Sequence, residues 1–559
     1  MNIRNIFNIP ESKYSASQIV GWLWRAWRGN RRQAVINAVL GLLDVAVSLS
    51  SVWAVKHAID VASRVAEGSI YMAVCLMAVL ILCGFAINIA AVWVRNILGI
   101  KAQNRMQQRM LDRILRSEWH GKEKRHSGDV LNRLEFDVNN VVSFLTETIP
   151  STLSVVALFL GSFCYLFSMD PLLAALIVFM LPLFILTSKV YVGHMRKLSR
   201  MVRNSDSKVQ SVLQETIQHR MLIKTLEKDQ AMVGRLENMQ SELRHNVVKR
   251  TKFSVISNLI LNFGFALGYL VAFLWSALRM YAGTLTFGGM TAFLQLVSKI
   301  QGPARNLTKL VPAFVSVFTA AERLMELEEN PLEEQGDSVY MDNDSGGVGI
   351  RLDNVSYAYD DAEQNVINGL SFDFKPHTCT AILGETGVGK TTLVRLVLAL
   401  MYPTKGNVYI YNNVETRRMS PLMRCNIVYV PQGNTLLSGT IRDNLRMGRL
   451  DATDDEMLEA LDMACAGFVK ELPAGLDTSC AEAGGGLSEG QAQRIAIARA
   501  LLRKGSVMIF DEATSALDPD TEKELLDNLL DDNSHTIIFI THRPAVVDYC
   551  DQTLRIDKL

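Results

Sequence analysis

The chain has 559 residues, too many for one ordinary domain, with 49% hydrophobic and only 20% charged residues. Its mean hydropathy of +0.15 is too apolar for an ordinary soluble enzyme and points to membrane spans. The formal net charge of +0 gives no basic bias towards nucleic acid, and the 8 cysteines show no C-x-x-C pair and no zinc spacing, so most read as buried free thiols of a reducing compartment.

The N-terminus lacks a short apolar region followed by a small-residue cleavage site, so no removable signal peptide is expected. Residues 16–32 read as an amphipathic interfacial helix, with Trp22, Trp24 and Trp27 beside Arg25 and Arg28. Residues 33–59 then form a span interrupted by Asp44 and by Lys56-His57. Further uncharged runs cover about 68–94, 148–169, 171–188, 253–278 and 280–298. Each is near or above the ~20 residues that cross a bilayer, which predicts about six transmembrane helices.

The connections alternate in length. The outer ones are short: Ile59 to Gly68, Ser168 to Pro171, and Arg279 to Gly288. The inner ones, about 99–147 and 193–252, are long and basic, with Lys101, Arg105, Arg109, Arg196 and Lys249 among their cations. The positive-inside bias puts these segments and the N-terminus in the cytoplasm. Breakers are rare in them, so they read as helices that carry spans two to five well below the membrane. Their basic residues suit solvated faces near anionic headgroups better than nucleic-acid binding.

Charged groups within spans are suspects for substrate contact. Asp44, Lys189, Lys299 and Arg305 are the candidates. Snorkelling of Arg305 and an ion pair of Lys299 with Asp44 would explain them without substrate.

Residues 331–349 become acidic and rich in Gly, Asn and Asp, and read as a linker between a membrane domain (1–330) and a soluble α/β domain (350–559). In the second domain an apolar strand, Thr378–Leu383, leads into Gly384-Glu385-Thr386-Gly387-Val388-Gly389-Lys390-Thr391 and a helix from Thr392. That is G-x-x-x-x-G-K-S/T in the strand–loop–helix setting a phosphate loop needs. Its backbone N–H groups curl around phosphate oxygens at a helix N-terminus. Lys390 reaches the β- and γ-phosphates of ATP, and the Thr391 hydroxyl holds Mg²⁺.

Farther on, Val507–Asp511 is an apolar strand ending in Asp511-Glu512. Asp511 suits a Mg²⁺ site and Glu512 suits polarisation of an attacking water. Ile537–Thr541 is another strand, ending at His542. A lone histidine is more often structural, but its place after a neighbouring strand favours a role in the site.

The stretch Leu487-Ser488-Glu489-Gly490-Gln491 and the helix after it complete a set of ordered motifs that resembles the ATP-binding cassette (ABC) transporters along essentially the whole chain. Gln432 in Val428-Tyr-Val-Pro-Gln432 matches that family's Q-loop, whose glutamine also faces the metal, and Tyr359 its adenine-stacking aromatic. Asp518 matches its D-loop, His542 its switch histidine, and Ser127–Arg133 ahead of Asp137 its first coupling-helix region. The family carries Leu-Ser-Gly-Gly-Gln; here Glu489 replaces the first glycine, and Ala481–Gly484 matches the usual upstream pattern loosely.

The resemblance implies an all-α six-helix membrane domain followed by an α/β P-loop domain. It implies head-to-tail pairing of two cassettes around two ATP molecules, with Ser488 and Gly490 of one capping the γ-phosphate held by Lys390 of the other. One cassette on one chain implies a half-transporter in the inner membrane. The full set of ATP residues favours a homodimer, while the altered signature leaves a heterodimer open. Fusion of membrane domain before cassette implies ATP-driven export of an amphipathic lipid, drug or peptide. A siderophore or metallophore importer on the same fold is the alternative. A cassette ATPase acting on DNA or ribosomes would not carry six apolar runs.

Overall fold

A computed structural model describes residues 13–119, 127–343, 346–359, 364–385, 387–480, 486–531 and 534–557, with side chains except those of 127, 178–193, 196, 261 and 304–312. The chain divides into two compact units. One takes the residues up to Met110 and Leu131–Glu326; the other takes Leu111–Val130 and the chain from Leu327.

The first unit is helical. Helix α1 (Ala16–Ala26) starts at a capping box in which Ser15 and Gln18 exchange bonds. It buries Ile19, Trp22 and Leu23 and leaves Trp24 exposed, with the Arg31 guanidinium 4.5 Å over the Trp24 ring. The amphipathic reading of 16–32 thus takes shape as one buried face and one cationic, aromatic face.

Long helices follow: α2 (Arg31–Ala62), α3 (Ile70–Leu115), α4 (Ile149–Met169), α5 (Pro171–Gln218), α6 (Asp229–Tyr281) and α7 (Phe287–Glu328). Helix α3 has 46 residues, a rise of roughly 69 Å against a hydrocarbon core of ~30 Å. It therefore extends far beyond a bilayer, as the sequence suggests. Among the described residues, four helices are long and apolar enough to cross a membrane: Arg31–Ala62, Ile70–Leu115, Gly128–Met169 and Asp229–Tyr281. The last expected span begins later than 280. Gly283 takes φ +72° and Thr284 N–H bonds the Arg279 carbonyl, so the chain turns before α7 starts at Phe287.

Asp170 separates α4 from α5. Its carboxylate caps α5 through the N–H groups of Leu172 and Leu173, both at 3.1 Å, and accepts from Trp275 Nε1 at 3.0 Å and Arg279 Nη2 at 3.2 Å. One buried acid thereby ties the α4–α5 turn to α6. Around it Leu166, Leu173, Ala174, Ala272 and Phe293 form a dry core.

The helix leading into α4 contains two π turns, Arg133–Asp137 and Phe144–Thr148. Each inserts one residue and turns the side-chain register, which hydrophobic periodicity does not reveal. The first turns Arg133 and Asp137 inward, where Arg133 donates to Glu326 and to the Arg323 carbonyl and Asp137 pairs with Arg323.

The second unit holds two main sheets. Strands β1 (Gly349–Tyr357), β2 (Ile367–Phe374), β4 (Lys405–Tyr411) and β5 (Thr416–Arg418) form an antiparallel sheet in the order β2-β1-β4-β5. Strands β3 (Cys379–Leu383), β6 (Ile427–Val430), β9 (Val507–Asp511), β10 (Thr536–Ile540) and β11 (Gln552–Arg555) form a parallel sheet in the order β11-β3-β10-β9-β6. Strands β7 (Gly439–Thr440) and β8 (Ser479–Cys480) make a small ribbon. All five residues of β9 and of β10 are buried, as expected for parallel strands covered on both faces.

The described residues of the stretch 331–349, expected as a linker, are docked on this unit. Glu333 forms a bidentate pair with Arg424 at 2.7 Å for both bonds. Val339 N–H bonds the Leu422 carbonyl, and Met341 N–H bonds Asn426 Oδ1 at 2.7 Å. Met341 and Val348 enter the apolar core of the β1 sheet. The boundary also differs from 1–330, because the end of α3 and the residues after it belong to the second unit. Ser117 pairs with Leu332 as a β-bridge, and Arg113 donates to the carbonyls of Glu328 and Asn330.

Candidate functional site

Strand order sets the site. Strand β10 lies between β3 and β9, so the phosphate loop, His542 and the Asp511-Glu512 pair leave the same edge of one sheet. Ligands of open parallel sheets bind at that carboxyl edge.

The loop after β3 needs its glycines. Gly389 takes φ +112°, and a Cβ there would stand 2.9 Å from Val366. At Gly384 a Cβ would stand 2.6 Å from the Ile556 carbonyl oxygen. Helix α8 (Lys390–Val397) then points its N-terminus at the loop, with Thr391 exposed in its first turn. Val388 is buried beneath the loop, and Thr386 lies outside the described residues.

Lys390 is buried, and its ammonium is held by three acceptors. They are the Gly384 carbonyl at 2.7 Å, the Glu385 carbonyl at 3.2 Å and His542 Nε2 at 2.9 Å. Lysine has donors only, so Nε2 is the acceptor in this contact. The same Nε2 lies 3.5 Å from Glu512 Oε1, and Gln432 Nε2 donates to Glu512 Oε2 at 2.6 Å. Lysine, histidine, glutamate and glutamine thus form one chain of contacts across the ends of four strands.

Glu512 takes φ +48°, a left-handed conformation that costs a non-glycine residue energy and is concentrated at functional sites. Its N–H bonds the Ile540 carbonyl at 2.9 Å, which holds the turn against β10. Asp511 is buried at the strand end. Burial, together with the Glu512 charge, raises its pKa above the ordinary carboxylate value, while Tyr429, Lys390 and Arg395 pull the other way.

Tyr429 was not foreseen from its motif. Its hydroxyl donates to Asp511 Oδ2 at 3.1 Å from β6, which two strands separate from β3 and the phosphate loop. Arg395 and Trp119 were also missed; the Arg395 guanidinium lies 4.5 Å from the Trp119 ring. Arg543, next to His542, bonds the carbonyls of Ser515 and Leu517 and pairs with Glu522 at 2.7 Å. The only sequence signal for Tyr429, Arg395 and Arg543 is adjacency to a motif, and Trp119 has none.

Tyr359 stands beside α8, its hydroxyl 3.0 Å from Thr392 Oγ1. The signature residues gather elsewhere. Ser488 caps α9 (Glu489–Leu501) in a box with Gln491, Glu489 sits in its first turn, and Leu487 packs on the core below. Ser488, Glu489, Gly490, Arg494 and Asp518 line a cavity of about 470 Å³ that none of the residues around Lys390 enters. Asp518 caps α10 (Pro519–Leu530), and the Thr521 N–H and hydroxyl hold its carboxyl below the usual range. Residues 481–484 lie outside the described residues.

In the membrane unit Lys299 donates to the Ser48 hydroxyl on α2, one helical turn after Asp44. The Asp44 charge, expected to pair with Lys299, also acts on it. Asp44 itself is exposed, and the Arg305 side chain lies outside the described residues.

The donors at the strand ends suit a hard cation. The Thr391 hydroxyl, the Gln432 amide oxygen and the buried Asp511 carboxylate offer oxygen only, the set that magnesium takes alongside phosphate oxygens. Among the described residues, no group of three or more His, Cys, Asp or Glu forms an all-protein cage.

Residues 35–304 match the family model described as ABC transporter transmembrane region, and residues 367–515 match the model described as ABC transporter. An ATP-dependent lipid A-core flippase of Bordetella avium (strain 197N) is 28% identical over 487 residues, covering 85% of this chain and 80% of that protein. A multidrug resistance ABC transporter ATP-binding and permease protein of Lactococcus lactis subsp. cremoris (strain MG1363) is 28% identical over 536 residues, covering 94% and 88%. A solved bacterial Atm1-family ABC exporter with ATP bound shares the fold, with a TM-score of 0.78 at 22% identity over 94% of this chain and 93% of that one. With its helical membrane region and its nucleotide cassette fused in one polypeptide, the chain belongs to the ABC transporters, the ATP-hydrolysing carriers of the membrane.

Proposed function

We propose that this chain is one half of a dimeric exporter that uses ATP to move an amphipathic lipid, drug or peptide outward by alternating access. The observation that carries the reading is the convergence of Lys390, His542, Glu512 and Gln432 at the ends of four neighbouring strands. The signature residues Ser488 and Gly490 line a separate surface with Asp518. A cassette with its phosphate loop on one surface and its signature on another completes an ATP site by pairing head to tail with a second cassette.

In that arrangement Lys390 and the loop N–H groups hold the phosphates, and Tyr359 meets the adenine. Glu512, oriented by Gln432, accepts a proton from the attacking water. His542, held by Lys390 and beside Glu512, would face the γ-phosphate. Thr391, Gln432 and Asp511 would hold a Mg²⁺ ion, which would supply positive charge against the phosphates. Closure around ATP favours one orientation of the helices and hydrolysis releases it, the drive being the difference in ATP affinity of the two states.

The relatives named as a flippase and a multidrug transporter support export over import. The same reading places the chain in the inner membrane with its N-terminus and cassette in the cytoplasm. The complete ATP set favours a homodimer; Glu489 in the signature favours a heterodimer in which a second chain supplies the other half-site.

The test is purification in lipid and ATPase stimulation by a panel of lipids, drugs and peptides, beside uptake and efflux measured in cells. Efflux with stimulation by an amphiphile supports the proposal; ATP-dependent uptake of a metallophore overturns it. Lys299 and Arg305 predict an anionic headgroup. The pair of substitutions Lys299→Ala and Arg305→Ala then removes stimulation and keeps basal activity, and a preference for cationic drugs refutes the cavity assignment.

A further inference from the structure

The ATP cassette carries a pair of sulfurs that its hydrolytic chemistry does not use. Cys379 opens β3, the strand that feeds the phosphate loop, and is buried. Cys550 lies just ahead of β11 and is half-buried. Both are free thiols, and their Sγ atoms stand 2.8 Å apart. Among the described residues no other two cysteines meet in this way.

The backbone holds the pair in place. Asp551, next to Cys550, accepts from the Cys379 N–H through Oδ2 at 2.9 Å, and its own N–H donates to the Cys379 carbonyl at 2.9 Å. From there β11 runs parallel to β3, with Gln552 opposite Thr380 and Arg555 opposite Leu383. The Ile556 N–H then bonds the Leu383 carbonyl at 2.9 Å, and the Ile556 carbonyl closes against Gly384. Strand β11 is the outer strand of its sheet and props the first residue of the phosphate loop.

We propose that Cys379 and Cys550 are a modification site: a reversible disulfide that forms by exchange with a small organic disulfide and staples β11 to β3. The Cys550 thiolate attacks one sulfur of the organic disulfide, and the first half of that molecule leaves as a thiolate. Cys379 then attacks the Cys550 sulfur, the Sγ–Sγ bond forms, and the second half leaves. The two protons go to the two leaving thiolates. Two protein thiols are oxidised and one organic disulfide is reduced to two thiols, so atoms and electrons balance.

The order of attack follows from the surroundings. Cys550 is the thiol that solvent reaches. The hydrogen bond with Cys550, then burial and the nearby negative charges, hold the Cys379 thiol well above the ordinary range, so it resolves the mixed disulfide rather than starting the reaction. The bond would close a very long loop and restrict the unfolded chain. It would also stop the outer strand from opening away from the phosphate loop.

The test uses the full chain in lipid nanodiscs, reduced and then equilibrated with graded ratios of glutathione to glutathione disulfide. Peptide mapping after alkylation should show Cys379 and Cys550 joined at oxidising ratios. The thermal midpoint should rise by several degrees, amide exchange over 552–556 should slow, and dithiothreitol should reverse all three. Cys550→Ser and Cys379→Ser should each abolish the shift; Cys550→Ala replaces the first if it does not fold. Free alkylation of both cysteines at every ratio overturns the proposal. So does arrest at a glutathione adduct on Cys550, or an equal shift in Cys550→Ser.

Discussion

Replacing Glu512 by glutamine separates ATP binding from ATP hydrolysis. The side chain keeps its size, so the strained turn at φ +48° and the N–H bond to Ile540 have no steric reason to move. The substitution removes the only carboxylate in the chain of contacts that runs from Lys390 through His542 to Gln432. General-base catalysis typically supplies 10²–10⁴-fold, so turnover should fall by about that factor, a barrier increase of ~3–5 kcal/mol. Binding should be retained, because Lys390 is held by the Gly384 and Glu385 carbonyls and by His542, none of which changes. The loss of one negative charge also relieves Asp511, whose carboxyl Glu512 pushes up, and this favours ionised Asp511 and its metal. The assay is steady-state phosphate release beside a titration with labelled ATP, both in lipid. A weakened Kd with fast residual turnover would refute the assignment of Glu512 as the base.

Lys390→Ala should weaken ATP binding itself by tenfold or more, since a charged contact to phosphate is worth roughly 1.5–3 kcal/mol; an unchanged Kd removes it as the phosphate lysine. Arg424→Met should destabilise the cassette by about 3 kcal/mol, because it strands the half-buried Glu333 carboxylate and the Leu398 and Ala399 carbonyls that Arg424 caps. Adding Glu333→Gln should recover part of that loss, a coupling of ~1–2 kcal/mol in a double-mutant cycle read by denaturant melting. Asp511→Asn should abolish Mg²⁺-dependent turnover and raise the melting temperature at neutral pH. The folded-state pKa of Asp511 lies above its ordinary value, so the ionised side chain costs stability at neutral pH. That cost fades as pH falls towards the ordinary carboxylate pKa, so the difference between variant and wild type should shrink in acid.

The phosphate loop, the strand-end acids and the histidine could be read from the sequence because each sits at a fixed offset from an apolar strand. The sheet order then brings them to one edge without further information. The span pattern was legible for a related reason, since uncharged runs of that length have few other uses. What stayed hidden depends on contacts between distant segments. Residues 331–349 have the composition of a tether, yet Met341 and Val348 anchor them in the core. The π turns at 133–137 and 144–148 shift side chains by one register step, which periodicity averages away. Tyr429 looks like one more strand aromatic until β6 and β9 pair and place it beside Asp511.

The join between the end of α3 and the start of the cassette has a consequence for how the protein is made. Arg113 and Glu328 are 215 positions apart, as are Ser117 and Leu332, which form the bridge. A ribosome adding ~5–20 residues per second needs on the order of 10–40 s to supply the second half of each pair. For that interval Arg113, Ser117 and Trp119 have emerged while the strand, the carbonyls and the arginine that receive them have not. The four helices translated in between must be handed to the membrane first. Assembly of the cassette therefore waits on membrane insertion, and a translocation fault should surface as a cassette that lacks its earliest-synthesised piece.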